Sequence, residues 1–219
     1  MDYAASRVTK DLFTIVITVF ERELLLPYAI QSLIWQTYSP LELLIYADGP
    51  SRKAERILAS VEQHPRLKGR IRYTELPPRP GYFGNHLRER GLQEARGEFI
   101  SFLSHDTVYH PDFCATHAEV LRRQPCISVT RVDYWWLAPN EDCPVYVRRQ
   151  PRQSPGLVTA GHIDAHCLSY PTDMLRTHVK FSDEMLQKHH ADFLIFDQMR
   201  RHLPIVYNGD ETQPLAAHM

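Results

Sequence analysis

The sequence predicts one α/β domain built around a mostly parallel β-sheet. Over the first hundred residues, strand patterns alternate with helix patterns, which is typical of right-handed βαβ units. The first strand pattern, residues 12–19, is a β-branched run with little alternation, as expected for a strand buried on both faces of a parallel sheet. A length of 219 residues fits one such domain and is short for two.

The front half supplies the regular elements in order. Pro27 falls in the first turn of a predicted helix, where its missing N–H costs little. A loop rich in Pro and Gly, residues 76–84, separates the third strand from the third helix. The predicted strands are residues 12–19, 41–47, 70–75 and 98–103, and the predicted helices are residues 23–36, 52–62 and 85–95.

The back half, after Asp106, has a less regular pattern. Its predicted elements are a helix at 110–123, a long alternating strand at 127–137, a surface loop at 138–156, a strand region at 157–169 and a helix at 192–202. There is no internal repeat, so we expect residues 1–219 to form a single domain.

Composition excludes several classes of protein. The 25 basic and 26 acidic residues give a net charge of -1, so no global field attracts nucleic acid, and we expect no nucleic-acid partner. The four cysteines include no C-x-x-C pair, which disfavours a structural zinc site or a disulfide framework. No signal peptide or transmembrane segment is predicted. We therefore expect a cytoplasmic protein, and peripheral attachment at the inner membrane face stays open.

Polar residues follow three of the predicted strands, namely Glu21, Asp48 and the run Ser104-His105-Asp106. One acid after a strand is more often a turn former or a helix cap, but several at neighbouring strand ends indicate a ligand crevice. Neither a G-x-G-x-x-G nor a G-x-x-x-x-G-K-[ST] motif is present to hold phosphate. A carboxylate-held Mn²⁺ or Mg²⁺ is the natural substitute, because these ions bridge diphosphate oxygens.

Four segments closely resemble family 2 glycosyltransferases: FTIVITVFER at 13–22, QSLIWQTY at 31–38, LELLIYADGPS at 41–51 and RERGLQEARGEFISFL at 88–103. The resemblance covers residues 12–113 well. It implies a GT-A-like fold, with a Rossmann-type sheet flanked by helices. It also implies an inverting, metal-assisted hexosyltransferase that uses a nucleoside diphosphate sugar, with UDP-sugar favoured. Residues 1–107 would bind this donor, and residues 108–219 would hold the acceptor and the catalytic group.

The resemblance also implies roles for single residues in donor binding. Asp48 would read the base or ribose, with Arg88 near it, and the loop around the base would be Val19, Phe20 and Glu21. Ser104-His105-Asp106 stands at the family's D-x-D metal motif, where only the second acid, Asp106, remains. His105 would touch ribose or phosphate, or be a passive neighbour. His218 would close over the metal ion.

The catalytic base implied by the resemblance is Asp192, within HHADFLIFD at 189–197. It would take the proton from the acceptor hydroxyl. The alternative is that Asp192 only caps a helix, a position where Asp is favoured. His162, Asp164 and His166 would share one face of a strand, but a zinc site there is disfavoured. The resemblance implies instead that Asp164 faces the acceptor, because the family often has polar residues on this strand. One of Trp135 and Trp136 could stack on a sugar ring.

The acceptor is open between a saccharide, a lipid-linked molecule and a protein, and polysaccharide biosynthesis is the expected setting. Two other functions stay open. A catalytically silent nucleotide- or sugar-binding module is favoured by Ser104 in place of the first motif acid. A sugar nucleotidyltransferase is disfavoured, because residues 18–22 lack the Gly-rich phosphate loop of those enzymes.

Overall fold

The structure is a computed structural model that describes residues 8–20, 23–137, 146–149, 164–208 and 216–218. Of these, residues 133–137, 146–149 and 216–218 are described by their backbone alone. Two sheets are present in this part of the chain. The strands of the larger sheet are β1 (Thr9–Val19), β2 (Leu41–Asp48), β3 (Ile71–Leu76), β4 (Gly97–Ser104), β6 (Ile127–Val129), β9 (Leu168–Pro171) and β10 (Ile205–Tyr207). The strands of the smaller sheet are β5 (Thr107–Tyr109), β7 (Val132–Leu137), β8 (Tyr146–Arg149) and β11 (Ala216–His218).

The strand order confirms the predicted parallel front half. The larger sheet runs β10-β6-β9-β4-β1-β2-β3, and β1 pairs in parallel with both β2 and β4. β3 continues this arrangement in parallel with β2, whereas β9 is antiparallel to its neighbours β4 and β6. The smaller sheet has the order β5-β11-β7-β8. The carboxyl ends of β1, β2 and β4 therefore meet at one edge of the larger sheet.

Helices cover the larger sheet. They are α1 (Leu26–Ile34), preceded by a 3-10 turn at Glu23–Leu25, α2 (Arg52–Val61), α3 (Asn85–Glu94), α4 (Phe113–Arg123), α5 (Thr172–His178), α6 (Asp183–Leu186) and α7 (Ala191–Met199). None of the helices in the described residues has the length and apolarity that crossing a membrane requires.

A glycine brings α3 close to the central strand. A Cβ at Gly91 would lie 2.3 Å from Val16 Cγ1, inside van der Waals contact. Val16 is fully buried in β1, so it has no free space into which to move. This close approach fixes α3, and with it the residues of its first turn, over the carboxyl half of the sheet.

Three predictions for the back half are wrong in detail. The strand predicted at 127–137 is two strands in different sheets, broken where Thr130 N–H donates to the Cys167 carbonyl at 2.9 Å. The loop predicted at 138–156 contains β8, which pairs with β7. Within the strand region predicted at 157–169, residues 165–167 form a 3-10 turn and only the last two residues begin β9. Residues 138–145, 150–163 and 209–215 lie outside the described part of the chain.

Candidate active site

Several of the predicted site residues lie where β1 and β4 end. Val19 is buried as the last residue of β1, whereas the following residue, Phe20, is 55% exposed. The backbone N–H of His105 donates to the Thr18 carbonyl at 3.2 Å, and its ring Nδ1 lies 3.2 Å from the same oxygen. His105 is thereby fixed against the end of β1. Glu21 lies outside the described residues.

Asp48 ends β2 and contacts the loop before α3. Arg79 N–H donates to Asp48 Oδ1 at 2.9 Å, and His86 Nε2 lies 3.4 Å from the same oxygen. Burial lowers the pKa of His86, and the nearby Asp48 carboxylate opposes this shift. The structure therefore places Asp48 beside His86 and not beside Arg88, which the resemblance had put near it.

Arg88 instead contacts the predicted catalytic residue. Its guanidinium forms an ion pair with Asp192 Oδ1 and donates to Asn85 Oδ1 at 2.9 Å. The second Asp192 oxygen, Oδ2, accepts a hydrogen bond from Ala165 N–H at 3.3 Å. Because both carboxylate oxygens have a donor, the orientation of the Asp192 side chain is fixed.

Asp192 does not cap a helix. The N-cap residue of α7 is His190, and Asp192 lies in the first turn of this helix. Its carboxylate contacts α3 and the 3-10 turn at Ala165–Cys167 and not an N–H of its own helix. The alternative that Asp192 is only an N-cap is therefore wrong. A carboxylate in the first turn still interacts favourably with the helix dipole.

The 3-10 turn Ala165–Cys167 connects this carboxylate to the end of β4. Ser104 N–H donates to His166 Nδ1 at 3.3 Å, and His166 Nε2 lies 3.1 Å from Asp164 Oδ1. Since Nδ1 accepts, the ring proton is on Nε2 and points to Asp164. Asp164 also accepts from His166 N–H at 3.2 Å, as the cap of the turn. That Asp164 faces an acceptor stays a prediction.

The two predicted metal ligands, Asp106 and His218, lie in neighbouring chain segments. Asp106 lies between β4 and β5 and is 7% exposed. β11 runs antiparallel to β5 and places the backbone of His218 opposite Thr107, the residue after Asp106. Within the described residues, no group of three or more His, Cys, Asp or Glu side chains is arranged to hold a metal ion. His162 lies outside these residues, and Trp135 lies in β7, where the description is of the backbone.

Sequence reasoning missed Asn85, which joins the two halves of the site. This side chain is buried, and its Nδ2 donates to the carbonyls of Leu186 at 3.0 Å and Lys188 at 3.2 Å, while its Oδ1 accepts from Arg88. The available signal was the spacing of three residues between Asn85 and Arg88 on one helix face. Its partners are backbone carbonyls a hundred residues away, which no spacing indicates.

The sequence of this chain is similar to those of known glycosyltransferases. The sequence model described as glycosyl transferase family 2 matches residues 14–160, more than half of the chain. An uncharacterized glycosyltransferase of Rickettsia typhi is 30% identical over 112 residues, which are 51% of this chain and 32% of that protein. This chain thus spans about a third of the length of that relative.

Two solved structures share the fold at low sequence identity. The match to TarS 1-349 of S. aureus covers 95% of this chain and 60% of the TarS chain, with a TM-score of 0.72 and 14% identity. TarS 1-349 has also been solved in complex with UDP-GlcNAc. The second structure is the mannosyltransferase PcManGT of Pyrobaculum calidifontis in complex with GDP-Man and Mn²⁺. The match covers 92% of this chain and 57% of the PcManGT chain, with a TM-score of 0.64 and 14% identity. The predicted GT-A fold is confirmed. From the family match and this fold, we conclude that the chain belongs to glycosyl transferase family 2.

Proposed function

We propose that this chain transfers a sugar from a nucleoside diphosphate sugar to an acceptor hydroxyl, with inversion at the anomeric carbon. The observation that supports this best is the placement of Asp192. Its carboxylate is held between α3 and the 3-10 turn, with one donor on each oxygen, at the sheet edge where open α/β folds bind ligands. Inversion needs one such carboxylate, placed to receive a proton from the attacking hydroxyl.

On the donor side, Phe20 offers an exposed ring beside the end of β1, where a base could stack. Asp48 supplies a carboxylate at the end of the adjacent strand, β2. UDP is favoured because TarS, the neighbour with a TM-score of 0.72, has been solved with UDP-GlcNAc. The complex of PcManGT with GDP-Man makes GDP the second choice.

We infer that a divalent metal ion would bind near the end of β4. Asp106 has a carboxylate and His218 an imidazole, a donor set of oxygen and nitrogen that suits Mn²⁺, and the backbone of His218 pairs with Thr107, the residue after Asp106. Two protein ligands leave positions for diphosphate oxygens and water, which such ions commonly retain. Asp106 and His218 would hold the ion, and when bound it would stabilise negative charge on the departing diphosphate.

Asp192 would act as the general base of the transfer. As the acceptor oxygen bonds to the anomeric carbon, the bond from that carbon to the diphosphate oxygen breaks, and the diphosphate leaves with the electron pair. The hydroxyl proton passes to Asp192. Arg88 and Ala165 N–H hold the carboxylate in place for this step.

A thermal-shift titration with UDP and Mn²⁺ tests the donor and metal sites together. Ligand that binds only the folded state raises the melting temperature, by an amount that grows with concentration over Kd. We expect UDP–Mn²⁺ to stabilise the wild type and Asp106→Ala to lose the part that depends on Mn²⁺. Asp112→Ala is a matched control, since Asp112 is an exposed acid at the start of α4. Equal Mn²⁺-dependent shifts in the wild type and Asp106→Ala would exclude Asp106 as a ligand.

A catalytically silent binding module is the second candidate. It is favoured by Ser104, which stands where the family has its first motif acid and uses its backbone N–H to hold His166. Both functions predict UDP binding, so turnover separates them. Release of UDP from UDP-sugars or of GDP from GDP-sugars in Mn²⁺ supports the enzyme, and binding without release supports the silent module.

A further inference from the structure

An exposed aromatic pair lies at the mouth of the candidate site. Phe83, in the loop before α3, is 54% exposed, and its ring meets the ring of His189 edge to face, with centroids 5.0 Å apart at 71°. His189 is also exposed and precedes α7. The two residues come from the two chain segments that supply Arg88 and Asp192.

The backbone of Phe83 is held in a conformation that disfavours a side chain. Its φ of 50° lies in the left-handed region, between Gly81 at 83° and Gly84 at 73°. For a residue with a Cβ, this region is costly, and glycine is the usual occupant. Packing does not account for a phenylalanine here, because more than half of its surface is in solvent. Strain of this kind concentrates at ligand sites.

The loop is fastened at both of its ends. Tyr82 N–H donates to the Arg79 carbonyl at 3.1 Å, and Asn85 N–H donates to the Tyr82 carbonyl at 2.9 Å. The Asn85 side chain ties the start of α3 to the carbonyls of Leu186 and Lys188, directly before His189. The Phe83–His189 pair is therefore built by the same contact that brings Arg88 to Asp192.

Helix geometry gives the spacing between this pair and the carboxylate. α3 begins two residues after Phe83 and includes Arg88 as its fourth residue, while α7 begins two residues after His189 and includes Asp192 as its second. Asp192 follows His189 by three residues and Arg88 follows Phe83 by five, so at the helical rise per residue the two pairs are roughly 5 to 7 Å apart. A pyranose ring is about this wide. It offers a face of C–H groups to an aromatic ring and hydroxyls at its rim to a base.

We propose that Phe83 and His189 form a stacking platform for a pyranose ring of the acceptor, so that the acceptor is a saccharide whose attacking hydroxyl reaches Asp192. This rests on the proposed function. The platform lies on the Asp192 side of the site, whereas Phe20, after β1, is the exposed ring on the donor side. Phe83 and His189 therefore select the acceptor, and the nucleotide does not need them.

Saturation-transfer NMR at saturating UDP and diamagnetic Mg²⁺ tests the platform. The probes are methyl β-D-glucopyranoside, methyl 2-acetamido-2-deoxy-β-D-glucopyranoside and methyl α-D-mannopyranoside, with ribitol as a polyol that has no ring face. We expect the wild type to bind at least one pyranoside and not ribitol. Phe83→Gly should weaken that binding about tenfold, and Phe83→Trp should retain it. Trp35→Ala, at an exposed ring directly after α1, should bind like the wild type.

The glycine variant also separates a binding role from a structural one. Because glycine adopts positive φ without strain, Phe83→Gly should melt at or above the temperature of the wild type while losing the pyranoside. Equal pyranoside binding in Phe83→Gly and the wild type, ribitol binding as strong as pyranoside binding, or a matching loss of UDP affinity would each overturn the platform. A wild type that binds UDP but none of the pyranosides overturns the platform alone. A wild type that does not bind UDP overturns the proposed function.

Discussion

The front and back of this chain place their functional groups in different ways. In the front part, β1 to β4 form a parallel block whose central strand is buried from Phe13 to Val19, and the ends of its strands supply Asp48, His105 and Asp106. In the back part, strands of three to six residues divide between two sheets, and Asp192 reaches the site through contacts with Arg88 and Ala165. One part positions groups by strand register, the other by pairwise polar contacts. Substitutions should therefore act differently in the two parts.

Each part also buries a titratable group, which is charged in the front part and neutral in the back part. In the front, burial of Glu42 acts to raise its pKa, but hydrogen bonds from Arg96 N–H at 2.9 Å and Thr14 Oγ1 at 2.7 Å outweigh it and lower the pKa. In the back, His117 is fully buried with its Nδ1 2.7 Å from Ser128 Oγ, and burial lowers its pKa to about 3. The front therefore holds a charge, and the back holds a neutral imidazole.

The largest effect is expected at Asp192. Asp192→Asn keeps the shape and an oxygen for Arg88 or Ala165 N–H, but the amide cannot accept the acceptor proton. General base catalysis contributes about a hundred- to ten-thousandfold, so transfer should fall at least a hundredfold. UDP affinity should change little, because the residue faces the acceptor. Both quantities are measured on one folded variant, once a pyranoside acceptor is found.

The matched control for Asp192 is Asp197→Asn on the same helix. Asp197 pairs with Arg200 and Arg201 on the outer side of α7, so transfer should stay near the wild-type rate. If Asp192→Asn retains transfer, the base lies elsewhere. Asp164, beside His166, is then the next candidate.

Sequence predicted the front half well because its signals are local. The β-branched run of β1, Pro27 early in its helix and the polar strand ends each lie in a few consecutive residues, and the parallel order follows from alternation of strands and helices. In the back half, the alternating pattern from Ile127 onward is the same on either sheet, so it could not show the change of sheet after Val129. Nor could it show that the His166 ring accepts the Ser104 N–H, since that contact depends on a turn formed elsewhere.

The next largest effect tests how rigid the front half is. Gly91→Ala places a methyl group 2.3 Å from Val16 Cγ1 in the buried centre of β1. Overpacking of this kind typically costs about 1–3 kcal/mol, which should appear as a lower free energy of unfolding in urea. The double variant with Val16→Ala should cost less than the sum of the single changes, since the methyl group then has space. Additive costs would contradict the close α3–β1 contact.

The pH dependence of stability tests the back half. His117 has a folded pKa of about 3, against about 6.5 when unfolded, so the unfolded chain binds the extra proton between these values. Stability from this site is complete above about pH 6.5 and falls with decreasing pH, by about 2 kcal/mol at pH 5. Glu42, with a lowered pKa, contributes above its ordinary value of about 4.3 and loses stability only as the pH falls below it.

Urea unfolding at pH 7 and pH 5 isolates the His117 contribution. His117→Gln removes the titration and should show a smaller loss between the two pH values than the wild type. His110→Gln, at a half-exposed histidine, should lose as much as the wild type. An unchanged pH dependence in His117→Gln would mean that the acid sensitivity arises at another group.

The smallest effect is expected at Asp48. It tests whether this side chain only holds the loop before α3 or also binds the nucleotide of the donor. Asp48 has a clear structural role, because its Oδ1 accepts from Arg79 N–H and holds the loop that leads to α3. Asp48→Asn keeps an oxygen for that bond but replaces the other carboxylate oxygen with an amide donor. If the carboxylate accepts a hydrogen bond from the base or ribose, UDP should bind about tenfold more weakly in Mn²⁺, or about 1.4 kcal/mol by calorimetry.

Asp48→Ala supplies the other half of this test, since it removes the bond to Arg79 as well. A loss of UDP affinity in both variants assigns donor reading to the carboxylate itself. A loss only in Asp48→Ala shows that Asp48 acts by holding the loop before α3 and does not contact the nucleotide. In that case the ring of Phe20 and the side chains of the residues after β4 would select the nucleotide. Strand register would then position the groups from the front half of the site, and polar side-chain contacts would position those from the back half.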